Sequence, residues 1–209
     1  MIGLDINKLS KVLQNRTPKS IDPMRKFSVL IPLIKIWDEW EIIFEMRAKG
    51  MKSQPGEISF PGGGVEGSES YMEAAIRETI EELNIKRGNI EIIGELDYLV
   101  SYANIIIHCF LGVIDGVDIE KIQPNPAEVD HIFTVPLKFL LENEPKEYYL
   151  ELENRYNDEF PYNLIPNGED YDFRTVKRSI YFYEYNDYVI WGFTAEMLKH
   201  LIDIIKELP

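Results

Sequence analysis

Apolar positions recur along this chain with two different periods. Ile6, Leu9, Val12 and Leu13 keep helical spacing, and residues 15–26, softened by Pro18 and Pro23, read as a linker to the main body. Residues 27–36 and 40–46 are rich in Val, Ile, Trp and Phe around the polar corner Trp37-Asp38-Glu39. They predict adjacent antiparallel strands. Residues 47–60 hold Gly50, Pro55 and Gly56 without periodicity, which predicts a loop ending in a short strand. Pro61-Gly62-Gly63-Gly64 reads as a turn cluster. Over 69–83, Met72, Ala75, Ile76, Thr79, Ile80 and Leu83 form one stripe of a helix. Asn84 suits the left-handed position that ends it, and Ile85 re-enters the core. Residues 90–101 and 105–113 predict long strands, residues 112–116 a turn, and residues 135–141 a short helix around Pro136. The segment 142–188 gathers nine of the twelve tyrosines and reads as an insertion with strands near 149–152 and 179–185. Ala195, Leu198, Leu201, Ile202 and Ile205 predict a closing helix packed on the sheet.

Composition narrows the class. With 209 residues, 45% hydrophobic and 28% charged, the chain has the proportions of a globular protein with one large core. Its 36 acidic residues against 22 basic ones give a formal net charge of −14, which disfavours nucleic acid as an obligate partner. The lone Cys109 excludes an internal disulfide and a multi-cysteine zinc cluster. Residues 1–5 show no basic stretch followed by an apolar one, and Pro32 and Lys35 break the apolar run that begins at Phe27. A cytoplasmic protein without a membrane partner is therefore expected.

Chemistry concentrates on the helix predicted over 69–83. At about 100° per residue, Glu78, Glu81 and Glu82 fall in one sector, about 130–140° from the centre of the apolar stripe. All three are expected to face one solvent-side cleft. Like charges so spaced cost an isolated helix about 0.2–0.5 kcal/mol per pair, and a hard divalent cation, Mg²⁺ or Mn²⁺, reverses that cost. Arg77 and Glu69 are placed to pair and brace the preceding loop. Gly62, Gly63 and Gly64 before a helix start suggest backbone donors for an anion. Singly, a glutamate face and a glycine turn are commonplace, and it is their conjunction that points to chemistry.

Gly63, five residues, Glu69, seven residues, then Arg77-Glu78-Thr79-Ile80-Glu81-Glu82-Leu83-Asn84-Ile85 resembles the signature of the Nudix hydrolases. Asn84 stands where that family usually has Gly. The resemblance implies an α/β fold, an α/β/α sandwich around a mixed β-sheet, with a C-terminal helix and an insertion before it. It places the domain over 27–209, with 1–26 as a helix and linker and 142–188 as the insertion. It implies hydrolysis of a diphosphate joined to another group, with Glu78, Glu81 and Glu82 as metal ligands or base and Arg77 as part of the catalytic set. Glu81 and Glu82 are the firmest ligands on this reading, and Glu78 is the alternative base. Glu128, in Asn125-Pro126-Ala127-Glu128-Val129, is the candidate further ligand from a later loop, or a plain structural acid.

Arg47-Ala48-Lys49-Gly50-Met51-Lys52, then Gly56 and Phe60-Pro61-Gly62-Gly63, is similar to the extra motif of the coenzyme A pyrophosphatase branch. Ala48, Lys52 and Glu57 depart from its usual Ser, Arg and Gln. Ile190-Trp191-Gly192-Phe193-Thr194-Ala195 looks like that branch's closing motif. The implied substrate is a coenzyme A-like nucleotide, bound by Arg47, Lys49, Lys52, Gly62 and Gly63. A guanidinium grips phosphate at two points, and an ammonium acts as a point charge. ADP-ribose or another nucleoside diphosphate derivative is the alternative substrate, and a Nudix-fold sensor that binds without cleaving is the alternative class. Trp191 reads as core, and the insertion's tyrosines leave open a cover over the substrate or a homodimer face.

Overall fold

The computed structural model describes residues 4–22, 24–101 and 103–209. Pro23 of the predicted linker and residues 1–3 of the amino terminus lie outside the described residues. Strands β1 (Arg25–Ile36) and β2 (Glu39–Arg47) form the expected antiparallel hairpin, with Leu33 opposite Ile42. Period-two alternation sends Leu30 and Ile34 of β1 and Ile43 of β2 to one face, and Ile31, Ile42 and Phe44 to the other. Helix α2 (Tyr71–Leu83) covers the first face through Ala75, Ile76 and Leu83. Helix α4 (Gly192–Lys206) covers the second through Ala195, Leu198, Leu201 and Ile202, joined by Leu140 of α3 (Leu137–Glu142). Helices on both faces of one sheet make the expected α/β/α sandwich.

The sheet is mixed because β1 pairs in parallel with β7 (Ile105–Ile114), whereas its other pairings are antiparallel. β3 (Ile58–Ser59) and β8 (Val129–Pro136) pair with β2, and β4 (Gly62–Gly64) pairs with β1. β5 (Ile90–Glu95) and β6 (Leu99–Ser101) pair with β7. A second, three-stranded sheet is made of β9 (Lys146–Leu152), β10 (Val176–Tyr185) and β11 (Tyr188–Trp191). The Thr194 hydroxyl donates to the Ile58 carbonyl at 3.1 Å and ties the start of α4 to β3. Helix α1 (Ile6–Gln14), capped by Asp5, buries none of its residues. Among the described residues, no helix is long and apolar enough to cross a membrane.

Several local expectations give way. Residues 62–64 are a strand on β1 rather than a turn. The single strand expected over 90–101 breaks into β5 and β6, following a register shift between Ile92 and Gly94. Gly112 belongs to β7, where a side chain would press on Leu30 and the Glu91 carbonyl. The turn therefore starts only after Ile114. Val135 continues β8, so the short helix begins at Leu137. Helix α2 starts at Tyr71 because Ser70 and Glu73 close a capping box, with Ser70 N donating to Glu73 Oε2 at 2.7 Å and Glu73 N to Ser70 Oγ at 3.2 Å.

Leu198→Ala, which empties a fully buried site between α4 and the sheet, is expected to lower unfolding free energy by about 2–5 kcal/mol. Val12→Ala on α1 should stay within about 0.5 kcal/mol. Urea denaturation followed by tryptophan fluorescence measures both.

Candidate active site

Glu82 follows Ala75 by seven residues, so it lies only about 20° from it around the helix. It is drawn under α2 with the apolar stripe and is 3% exposed. Its Oε2 accepts the Gly62 N–H at 2.8 Å. Glu78, one turn earlier, lies against β4: a Cβ on Gly63 would land on its carboxylate. The Gly62–Gly64 strand is thus close enough to meet both acids. Glu81, about 100° away from Glu82 around the helix, turns outward with its side chain 54% exposed, in a groove beside Met72 and Ile80. The structure therefore brings Glu78 and Glu82 together and sets Glu81 apart, because the sector shared on the helical wheel straddles the edge of the packed face.

Arg77 holds this corner. Its Nε and Nη2 donate to Glu69 at 3.1 and 2.9 Å, its Nη2 to the Gly64 carbonyl at 3.0 Å, and its Nη1 to Glu78 at 2.9 Å and Glu81 at 3.2 Å. Glu69 precedes the helix, so Arg77 braces the loop between β4 and α2. Those bonds also hold the Glu69 carboxyl below its ordinary pKa, with the Arg77 hydrogen bond the largest cause. The expected anion site at the helix start does not form: β4 and the helix are separated by residues 65–70, the Ser70–Glu73 box closes the first turn, and Gly62 N–H serves Glu82.

Glu128 reaches the same place from the loop before β8. Asn125 N donates to the Glu82 carbonyl at 2.8 Å, and Ala48 N donates to the Glu128 carbonyl at 2.8 Å. The loop is thereby stitched between the end of α2 and the end of β2. A fourth acid carries no motif and joins the site only in the fold. Glu45 of β2 is fully buried, with one oxygen accepting the Ser59 hydroxyl at 2.8 Å and the other, Oε2, unpartnered. Its signal lies in the strand alternation, since Glu45 shares with Ile43 the face turned toward α2.

Burial dominates the electrostatics. It pushes the Glu45 carboxyl up to about 7, with Ser59 and Arg47 opposing. It pushes Glu82 up to about 9, and the adjacent Glu45 adds to the rise while Gly62 N–H opposes it. Glu78 is also raised, first by burial, with Arg77 pulling the other way. An all-oxygen donor set with an orphaned buried carboxylate atom fits a hard divalent cation. Among the described residues, no three acidic, His or Cys side chains form a cage by themselves. A cation held there would need water or a ligand's oxygens to complete its shell, as is usual for Mg²⁺. The same shifts set a pH dependence. Unfolded, both acids lose their protons near the ordinary carboxylate value. Folded, they keep them to about 7 and about 9. Across that window the folded form binds more protons, so stability falls as pH rises. Thermal melts without divalent ions are expected to show Tm declining from about pH 5 to about pH 9 and Mn²⁺ reducing the decline; a rising Tm contradicts this.

The acids open onto a cavity of about 680 Å³. Arg47, Gly62, Gly63, Glu78, Glu82 and Glu128 line one part. Ile105, Ile107, Leu150, Trp191, Phe193 and Met197 line another. Lys49 and Lys52 are exposed and stand outside this lining, so the loop contributes Arg47 alone of its three predicted cations. Trp191, expected in the core, is 41% exposed on the cavity wall, stacked on Phe182 with ring centroids 5.9 Å apart. Arg25 and Arg178 also line the cavity, and Arg178 pairs with Glu196 at 2.6 Å. Neither carries a local sequence signal, because the fold joins them to the site from distant strands.

Comparison with known proteins agrees with this architecture. The chain is 24% identical over 206 residues to Nudix hydrolase 3 of Caenorhabditis elegans, covering 96% of this chain and 83% of that protein. It is 28% identical over 189 residues to the peroxisomal coenzyme A diphosphatase NUDT7 of Mus musculus, covering 87% and 71%. A MutT/nudix family protein from Enterococcus faecalis shares the fold at a TM-score of 0.51 and 15% identity, covering 98% of this chain and 70% of that one. A NUDIX domain is matched over residues 33–153, more than half of the chain, and the chain belongs to the Nudix hydrolase family.

Proposed function

We propose that this Nudix hydrolase cleaves the diphosphate of coenzyme A or a derivative, releasing adenosine 3′,5′-bisphosphate and 4′-phosphopantetheine. The observation that carries the reading is one cavity joining Glu78, Glu82 and Glu128 to Arg47 and to a long apolar wall. A nucleotide diphosphate with a pantetheine arm needs both environments. The likeness to the mouse coenzyme A diphosphatase over most of the chain supports the same substrate class. The catalytic domain is assigned to 27–209, with residues 142–188 supplying Leu150, Arg178 and Ile180 to the far wall.

In this reading Glu78, Glu82 and Glu128 hold Mg²⁺ or Mn²⁺, and Glu81 joins them on turning away from Arg77. Bound there, the ion supplies positive charge against the charge that develops on the phosphates. Gly62 N–H fixes one oxygen of Glu82, leaving the other for the site. Arg77 keeps Glu78 in place over β4, where its carboxylate serves as a ligand or, in the alternative, takes the proton of the attacking water. Arg47, 16% exposed, grips a phosphate of the substrate. Trp191 and Phe193 offer ring faces to the remainder.

Incubation with coenzyme A, its 3′-dephosphorylated form and ADP-ribose, with Mg²⁺ or Mn²⁺ in heavy-oxygen water, tests the reading by mass spectrometry of the products. Coenzyme A is expected to be cleaved fastest. Faster cleavage of ADP-ribose would make the chain a hydrolase of other nucleoside diphosphate derivatives, and no cleavage at all would make it a binder. Glu82→Gln should reduce turnover by about 10³-fold with the fold intact. Arg47→Ala should narrow the preference for coenzyme A over its dephosphorylated form by about tenfold, corresponding to about 1.4 kcal/mol.

A further inference from the structure

We propose that Glu45 is a member of the cation site, although it lies outside the signature helix and behind the cavity wall. The inference rests on the reading of Glu78, Glu82 and Glu128 as holding a divalent ion. β2 is an apolar strand at its centre, and Ile43, on the same face as Glu45, packs against α2 as that position requires. An apolar residue at 45 would complete the core at no electrostatic cost. An ionised carboxylate there, 0% exposed, is strongly destabilising unless it takes up a proton or meets a compensating charge. Its protein partners do not compensate it. Ser59 gives one hydroxyl bond to Oε1 at 2.8 Å, and Arg47 Nη1 stands 3.9 Å from the same oxygen. Oε2 meets no standing donor among the described residues, and its contact with Glu82 is a hydrogen bond only while one of the two carboxyls keeps its proton. The charged neighbours on its other side are Glu82 and Glu128, both acids. A cation among these carboxylates satisfies Oε2 and offsets the repulsion between Glu45 and Glu82 in one step. Ser59 then acts as a positioning residue, because engaging one oxygen of Glu45 holds the other toward the site.

The test is Mn²⁺ binding to the full chain, measured by titration calorimetry and by electron paramagnetic resonance of free Mn²⁺, for wild type, Glu45→Gln and Glu45→Thr. Glu45→Gln keeps shape and the Ser59 contact but removes the charge, and Glu45→Thr is a strand-forming neutral residue. Both are expected to weaken Mn²⁺ binding by about 10–100-fold and to shrink the Tm rise that Mn²⁺ produces. Without metal, Glu45→Gln should melt no lower than wild type above about pH 7, because it replaces a buried carboxyl that there is either charged and uncompensated or held neutral by a proton. A purely structural Glu45 predicts the opposite pair of results, a lower metal-free Tm and unchanged affinity, and that outcome overturns the inference while leaving the other acids in place. A wild type that binds no Mn²⁺ overturns the cation reading itself.

Discussion

The hydrogen bond from Gly62 N–H to Glu82 joins the two halves of the molecule that matter most. It ties an acid buried under α2 to the strand that pairs with β1, and the glycines of that strand let the helix approach. Gly63 has no room for a side chain, because Glu78 already fills it. Helix, strand and carboxylates therefore form one rigid corner whose negative charge is only partly matched by donors. Fewer donors than charges is a poor arrangement for stability and a good one for attracting a cation, and the fold tolerates it because Arg77 bridges the loop and helix from the outer side.

The two arginines divide the positive charge by place rather than by number. Arg77, fully occupied by Glu69, Glu78, Glu81 and the Gly64 carbonyl, has little left to offer a substrate. Its bond to Glu78 holds that carboxylate in place beside β4. Arg47 stands on the opposite side of the acids, lines the cavity, and keeps a buried Nε without a hydrogen-bond partner among the described residues. The two guanidiniums thus have different surroundings, one on the helix with its donors engaged and one at the end of β2 on the cavity lining.

Much of this was legible from the chain alone, for identifiable reasons. The α2 stripe, the hairpin around Trp37 and α4 are long elements with a strong period, and Asn84 takes the left-handed conformation expected of it at φ 52°. Short or patternless elements were not legible. Three glycines in β4 have no side chains to alternate, so a strand looked like a turn. β8 mixes Asp130 and His131 with apolar residues, and the mixture hides its period. The helical wheel grouped Glu81 with Glu82, but about 100° of rotation separates a buried acid from an exposed one. Trp191 sat in an apolar run that resembled core, and only the second sheet turns that run into a cavity wall. Glu45 carries no motif, and alternation along β2 does not say which neighbours an acid at that position faces.

The second sheet and the main sheet supply different parts of the cavity. The acids sit on the α2 side of the main sheet and on the loop before β8, held by backbone contacts from Gly62, Ala48 and Asn125. The opposite wall comes from β9–β11 and the start of α4, where Leu150, Ile180, Trp191 and Phe193 gather. Side chains on that wall can change without disturbing the hydrogen bonds that aim Glu78 and Glu82, because those bonds originate from Arg77 and Gly62. The Thr194 bond to Ile58 fixes α4 against β3, and β3 also supplies Ser59 to Glu45. The two-residue strand thus ties the apolar wall to the acidic floor, so a change in its register would move both at once.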